Sequence, residues 1–301
     1  MAAGIGSIGL WLLLSSLALS PLMILVFRPY TRGGGFLLNL RRIFQGYWAY
    51  FALFGVLYLW KGYVDQLNDP IRGIFGDFTF LIHRLEGDLV FHIQAAFQHP
   101  WLTAVLNFNY LFGYIFLTYF SAILAAYAGD RKLTGKVILN VLTIYLLAVP
   151  FYVFFNVQIT SDYIPAMKSL LYHSSSAYLQ FFTAADPLDN AWPSLHIAIP
   201  YGLFLLFYWT IRERGEALAT TGYKRYIYLI GAQVLIFTFS ILYLGIHWIL
   251  DIPGGLLIGY TGALIVEEVH EDVLTWLDKL IASTGRLASG LRDATLSTLD
   301  R

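Results

Sequence analysis

Residues Ser194–Ile211 read SLHIAIPYGLFLLFYWTI. It contains no Asp, Glu, Lys or Arg, and the basic residues Arg212 and Arg214 follow it at once. An apolar run of this length spans the hydrocarbon core of a bilayer when it is helical. The sequence therefore predicts a membrane-crossing helix with a histidine near one end and arginines at the other.

The composition extends this prediction to the whole chain. Of the 301 residues, 58% are hydrophobic and only 13% are charged, and the mean hydropathy is +0.63. Soluble domains carry about a quarter charged residues, so much of this surface must face lipid. A formal net charge of zero argues against a nucleic-acid partner. The absence of cysteine excludes disulfides and thiolate zinc sites.

Seven apolar runs are predicted to be transmembrane helices. They are Ile8–Phe27, Gly46–Trp60, Trp101–Tyr127, Val137–Asn156, Ser194–Ile211, Tyr226–Ile246 and His247–Val266. No basic residue precedes the first run, which we therefore interpret as a retained helix rather than a signal peptide. We predict an all-α integral membrane protein with about seven transmembrane helices.

The distribution of basic residues predicts the orientation of these helices. Arginine and lysine concentrate in the first, third and fifth loops, at Arg28, Arg32, Arg41, Arg42, Arg131, Lys132, Lys136, Arg212, Arg214, Lys224 and Arg225. Loops rich in these residues remain in the cytoplasm. We therefore expect the N-terminus and the Ser194 end of the fifth helix outside, in the plasma membrane of a prokaryote.

Four regions follow from this topology. Residues 1–60 are predicted to hold N-terminal transmembrane helices, and residues 101–268 the transmembrane core. Between them, 61–100 forms an outer loop whose stretch GDLVFHIQAAFQ is typical of an interfacial helix. A second surface helix is predicted in SDYIPAMKSLLYHSSSAYLQFF, within the outer loop 157–192. Residues 269–301 are predicted to form an amphipathic tail on the cytoplasmic face.

Two histidines and one aspartate are predicted to meet at the outer end of the core. In WPSLH, Pro193 suits the first position of a helix, which places His196 in the opening turn. In YLGIHWILDIPGG, His247 and Asp251 are four residues apart and would share one face of a helix.

This trio has the composition of a phosphoryl-transfer site. A neutral imidazole can attack phosphorus when a carboxylate accepts its other N–H, and Asp251 can do this for His247. His196, when protonated, can donate to the departing oxygen. The Ser194 hydroxyl and the free N–H groups of a helix start can bind phosphate oxygens.

Other interpretations of the same residues stay open at this point. A lone histidine in a membrane helix can simply hydrogen-bond the backbone, although His with Asp on one face is more often functional. Two histidines and a carboxylate, with His173 as a further ligand, could hold a metal ion for a hydrolase. A non-enzymatic transporter or lipid-binding protein would share the helix count.

The motif PSLH, Pro193–His196, and the pattern S-x6-H-x3-D from Ser240 to Asp251 resemble two signatures of the phosphatidic acid phosphatase type 2/haloperoxidase superfamily. The surrounding sequence looks most like its inositol phosphorylceramide synthase branch. The resemblance implies a six-helix core preceded by an extra helix, and a site at the outer membrane surface. It implies His247 as nucleophile, Asp251 as its orienting acid and His196 as proton donor. It implies a lipid phosphate or phospholipid substrate and no metal or other cofactor.

The chain departs from that family where phosphate-binding cations are expected. The first signature, a lysine followed by arginine and proline, is absent, and Ile241 stands where the third has arginine. We therefore expect Ser194, Ser240 and a cation from an outer loop to bind phosphate, with Lys168, Arg72 and Arg84 as candidates. Loss of all such cations would weaken catalysis, so an inactive descendant is a further alternative.

Overall fold

The computed structural model describes residues 2–29, 36–56, 74–171, 190–215 and 221–299. Within these ranges the chain is helical and forms no strand, apart from two isolated bridges, Asp77 to Asn156 and Val157 to Asn190. The predicted all-α class is confirmed for this part of the chain.

The helices of the described ranges are numbered in chain order. They are α1 Ala2–Phe27, α2 Phe36–Gly46, α3 48–56, α4 Thr79–Glu86, α5 Leu89–Phe97, α6 Pro100–Tyr127, α7 Arg131–Phe154, α8 Thr160–Tyr163, α9 Leu195–Arg214, α10 Thr221–Tyr243 and α11 Asp251–Leu299. Helix α6 contains one π-helical turn, Asn109–Gly113.

Five helices in the described ranges are long and apolar enough to cross a membrane. They are α6, α7, α9, α10 and the Asp251–Leu280 part of α11. Helix α1 carries a shorter apolar stretch, Trp11–Phe27. The predicted span Gly46–Trp60 coincides with α3, and its last four residues lie outside the described residues. The chain is thus an integral membrane protein by its apolar helices, while the count of seven stays a prediction.

Helix α9 is packed between α7, α10 and α11, and glycines allow α11 to come close. A Cβ added at Gly259 would lie 2.5 Å from the Ala198 carbonyl oxygen, and one at Gly255 would lie 2.7 Å from that of Ser194. Real Cβ atoms do not approach a carbonyl so closely, so only glycine permits this spacing. The close packing at Gly255 brings the starts of α9 and α11 together.

Basic residues of the third and fifth loops gather at one end of the bundle, which we call the basic end. Four ion pairs of the described residues lie there: Arg131–Asp278, Lys132–Glu271, Lys136–Glu267 and Arg214–Asp130. The start of α9, the end of α10 and the start of α11 form the opposite end, which we call the site end. The two ends therefore carry different chemistry, as the alternation of loops predicts.

The region predicted as an amphipathic tail, 269–301, continues the last helix, and its place at the cytoplasmic face stays a prediction. Helix α11 runs without a break through Leu299, since neither proline nor glycine occurs between Gly262 and Gly285 to end it. Ion pairs from Glu267, Glu271 and Asp278 to α7 hold its middle section against the bundle.

The two outer loops are only partly as predicted. Helices α4 and α5 occupy the described part of 61–100, with Phe80, Leu85 and Leu89 exposed, and an interfacial position remains a prediction. The surface helix expected from Ser161 is wrong for residues up to 171. Only one turn, Thr160–Tyr163, is helical, because Pro165 disfavours a helical conformation at the residue before it. Residues beyond 171 in that stretch, including His173, lie outside the described residues.

Candidate active site

A sharp turn after α10 shapes the site end. Gly245 has a positive φ of 80°, a backbone conformation that favours glycine. A Cβ at this position would also lie 2.8 Å from the Lys168 carbonyl oxygen, and the Gly245 carbonyl accepts the Ser161 N–H. The chain therefore reverses direction at Gly245, where it packs against the segment 161–170, and it enters α11 at Asp251.

His247 and Asp251 are joined within this turn. The Nδ1 atom of His247 lies 2.8 Å from Oδ2 of Asp251, and the Trp248 N–H donates to the same oxygen at 2.8 Å. Both residues are buried, Asp251 completely. A carboxylate can only accept, so the proton lies on Nδ1 and Nε2 keeps its lone pair. The arrangement gives His247 one free nucleophilic nitrogen.

The prediction that this pair shares a helix face is wrong, although the pair does meet. His247 precedes α11, whose first residue is Asp251, and the carboxylate folds back over the turn. Asp251 thereby accepts the N–H of Trp248, which lies three residues before it and outside the helix.

Ser194 faces the free nitrogen of His247. Its Oγ lies 3.3 Å from Nε2, and the residue is fully buried. Ser194 is the N-cap residue of α9 but makes no side-chain cap hydrogen bond, so its hydroxyl is directed at the histidine instead. In the first turn of α9, the N–H groups of Ile197 and Ala198 donate to the Ser194 carbonyl oxygen, whereas those of Leu195 and His196 precede any carbonyl of the helix that could accept them. Because Ser194 is the cap residue, Pro193 lies before the cap and not at the first helical position, contrary to the prediction.

His196 lies in the first turn of α9, between two tyrosines. Its ring stacks on Tyr110 at 3.8 Å between centroids and 15° between planes, and it lies tilted by 34° against the ring of Tyr114 at 4.1 Å. It is close enough to His247 for the two imidazoles to interact electrostatically.

Sequence reasoning missed the two tyrosines. Their spacing of four residues in LNFNYLFGY was an available signal, since such residues lie on one helix face. Tyr110 belongs to the π-helical turn of α6, and this turn is braced by a reciprocal amide pair between Asn109 and Gln233 at 2.9 and 3.0 Å.

A half-buried carboxylate, Glu86, was also missed. It is the last residue of α4, and its two oxygens accept the N–H groups of Ile249 at 2.7 Å and Leu250 at 2.5 Å. Burial raises the pKa of Glu86 above its ordinary value, the two backbone donors oppose that rise, and the charge of Asp251 adds to it.

Two of the predicted phosphate-binding residues do not reach the histidine pair by any hydrogen bond. The Ser240 hydroxyl donates to the Ile236 carbonyl oxygen at 2.7 Å, one turn back in α10. The exposed Lys168 ammonium donates to Oε1 of Gln98 at 3.1 Å. Arg84 is exposed on α4, and Arg72 lies outside the described residues.

Metal binding was an alternative interpretation of the histidines. In the part of the chain that the structure describes, no three His, Asp or Glu side chains are grouped so that they could hold an ion. His173, the further ligand of that interpretation, is not among the described residues.

The family comparison agrees with the geometry of the site end. A family model described as the PAP2 superfamily matches residues 157–273, a segment that includes Ser194, His196, His247 and Asp251. Comparisons with curated proteins and with solved structures give no match to this chain. The family match and the apolar helices together support a phosphatase-type membrane protein.

Proposed function

We propose that the protein cleaves or transfers the phosphoryl group of a membrane lipid through a phosphohistidine at His247. The observation that carries this proposal is the hydrogen bond from His247 Nδ1 to Asp251, which leaves Nε2 facing the Ser194 hydroxyl at the start of α9. A nucleophile, its orienting carboxylate and an anion-binding helix start therefore share one buried corner.

In the first step, Nε2 of His247 attacks the phosphorus of a lipid phosphate. The bond between phosphorus and the lipid oxygen breaks, and the oxygen leaves with the electron pair. His196 donates its proton to that oxygen, which gives the free lipid alcohol. Asp251 keeps its hydrogen bond to Nδ1–H and stabilises the positive charge that the ring gains.

In the second step, a water molecule or another alcohol attacks the phosphohistidine. The now neutral His196 accepts the proton of the attacking hydroxyl, and the bond between phosphorus and Nε2 breaks. Water gives inorganic phosphate, and an alcohol gives a new phosphate ester. The inositol phosphorylceramide synthase-like branch would use an alcohol acceptor.

Charge on the phosphate oxygens needs donors throughout. In this proposal the Ser194 hydroxyl and the first-turn N–H groups of α9 supply some of them. Ser240, Lys168, Arg72 or Arg84 would complete the set after a side-chain rearrangement or from the outer loops. Because the arginine-rich ends of the helices favour the cytoplasm, the site would face outside.

Phosphatidic acid in mixed detergent micelles tests this function. We expect the purified protein to release inorganic phosphate and diacylglycerol in equal amounts, and orthovanadate, which mimics phosphate at phosphorus-attacking sites, to inhibit competitively. Phosphate release that requires no added alcohol identifies hydrolysis, and consumption of lipid only when an alcohol is supplied identifies transfer. If the protein shows neither activity and orthovanadate does not change its thermal unfolding, the result favours a non-enzymatic membrane protein.

A further inference from the structure

The Glu86 side chain accepts hydrogen bonds from two backbone N–H groups just before α11, for which α11 itself has no acceptor. The N–H groups of Ile249 and Leu250 precede the first residue of α11, so no carbonyl of that helix can accept them. The Glu86 carboxylate accepts both, one with each oxygen, at 2.7 and 2.5 Å. A side chain 163 positions before Ile249 thus fixes the start of the helix.

We propose that Glu86 is a positioning residue for the His247–Asp251 pair, an inference that rests on the proposed function. The two residues that it holds lie directly between the histidine and the aspartate. Trp248 donates its N–H to Asp251, and Ile249 and Leu250 donate theirs to Glu86, so two carboxylates hold the whole turn. Any tilt of this turn changes the direction in which Nε2 of His247 points.

Helix α4 also contacts the turn at a second place. The His83 ring lies 5.9 Å from the Trp248 ring in an edge-to-face contact, and the Trp248 indole N–H donates to the Gln158 carbonyl oxygen at 2.9 Å. The turn is therefore held from α4 on one side and from the segment before α8 on another. Glu86 provides the only bidentate contact among these described interactions.

The function of Glu86 requires both its shape and its charge. Two backbone donors need two acceptor oxygens, and glutamine would present an amide N–H to one of them. Burial raises the pKa of Glu86, so keeping a carboxylate at this position has a cost that an ordinary helix cap would avoid. The charge is also close enough to interact with Asp251, so it adds to the negative charge that favours the cationic His247 ring formed on phosphoryl transfer.

Two substitutions separate shape from charge. Glu86→Gln keeps the size but loses the charge and one acceptor, whereas Glu86→Asp keeps the charge but is one methylene too short. The matched control is Asp88→Asn, which removes an exposed carboxylate two residues further along that pairs with His83 at 3.0 Å. Phosphate release from phosphatidic acid is measured for each variant across pH.

We expect both Glu86 variants to lose about tenfold or more in kcat, and the control to stay within about twofold of the unsubstituted protein. In Glu86→Gln, the acid limb of the kcat/KM profile moves to lower pH by up to about one unit. The reason is that Glu86 adds negative charge beside Asp251, and its loss makes any positive charge in this corner less favourable, so the active form persists in more acid solution. In Glu86→Asp the limb stays in place.

Among the described residues, the other ionisable groups that face this corner are His247 and Asp251 in the turn, His196 on α9, His83 on α4 and Tyr163 on α8, and all are retained in these variants. A role in folding alone would lower the active fraction and scale the whole profile without moving its acid limb. An unshifted limb in Glu86→Gln, or full turnover in Glu86→Asp, therefore overturns the proposal. If the unsubstituted protein releases no phosphate, the proposed function fails first, which is a different result.

Discussion

Replacement of His247 by alanine is expected to lower phosphate release from phosphatidic acid by about 10⁴-fold or more. The reason is that Nε2 forms the bond to phosphorus, and no other side chain in the described corner offers a free nitrogen held by a carboxylate. Water attack within the remaining pocket would retain only the contribution of binding and of oxyanion donors. Initial rates with purified variants in mixed micelles give the measurement.

The matched control for this result is His92→Ala. His92 is a histidine on α5, and its ring contacts Phe91. The His92→Ala substitution should leave the rate of phosphate release unchanged. A His247→Ala protein with more than about a tenth of the original rate would remove His247 from the chemistry.

Replacement of Asp251 by asparagine is expected to lower kcat by about 10³- to 10⁴-fold with a small change in KM. Asparagine can still accept the Trp248 N–H, so the start of α11 keeps one of its contacts. Its amide group, however, can donate to Nδ1 and thereby move the ring proton to Nε2. The histidine would then present N–H to phosphorus instead of a lone pair.

This result needs a check on folding, because Asp251 is fully buried. The control is Asp272→Asn, which changes an exposed carboxylate further along α11. Both variants should unfold cooperatively with temperature, and the control should keep its kcat. A folded Asp251→Asn protein with kcat within about tenfold of the original would show that the carboxylate does not set the tautomer.

Hydropathy was sufficient to predict the membrane-crossing core, because lipid requires long apolar helices whatever their contacts. The spacing of His247 and Asp251 predicted their contact but not its form. Four-residue spacing fits a helix face and also a turn that closes onto a helix start. Pro253 favoured the second, since proline is tolerated in the first turn of a helix and not in its interior.

Contacts between distant parts of the chain could not be predicted. Glu86 lies more than 160 residues before the N–H groups that it accepts, and the sequence around it carries no signal of that pairing. Ser240 was expected at the phosphate site from its place in a motif. In an apolar helix, a serine hydroxyl commonly donates to the carbonyl one turn earlier, and this is what Ser240 does with Ile236.

Phosphorylation of His247 during turnover can be observed by trapping the phosphohistidine. The protein is mixed with phosphatidic acid labelled in its phosphate, quenched within milliseconds in alkali and digested. We predict acid-labile, alkali-stable label on the peptide that contains His247, and none in His247→Ala. Label on a different residue, or steady turnover without any labelled protein, would contradict the account.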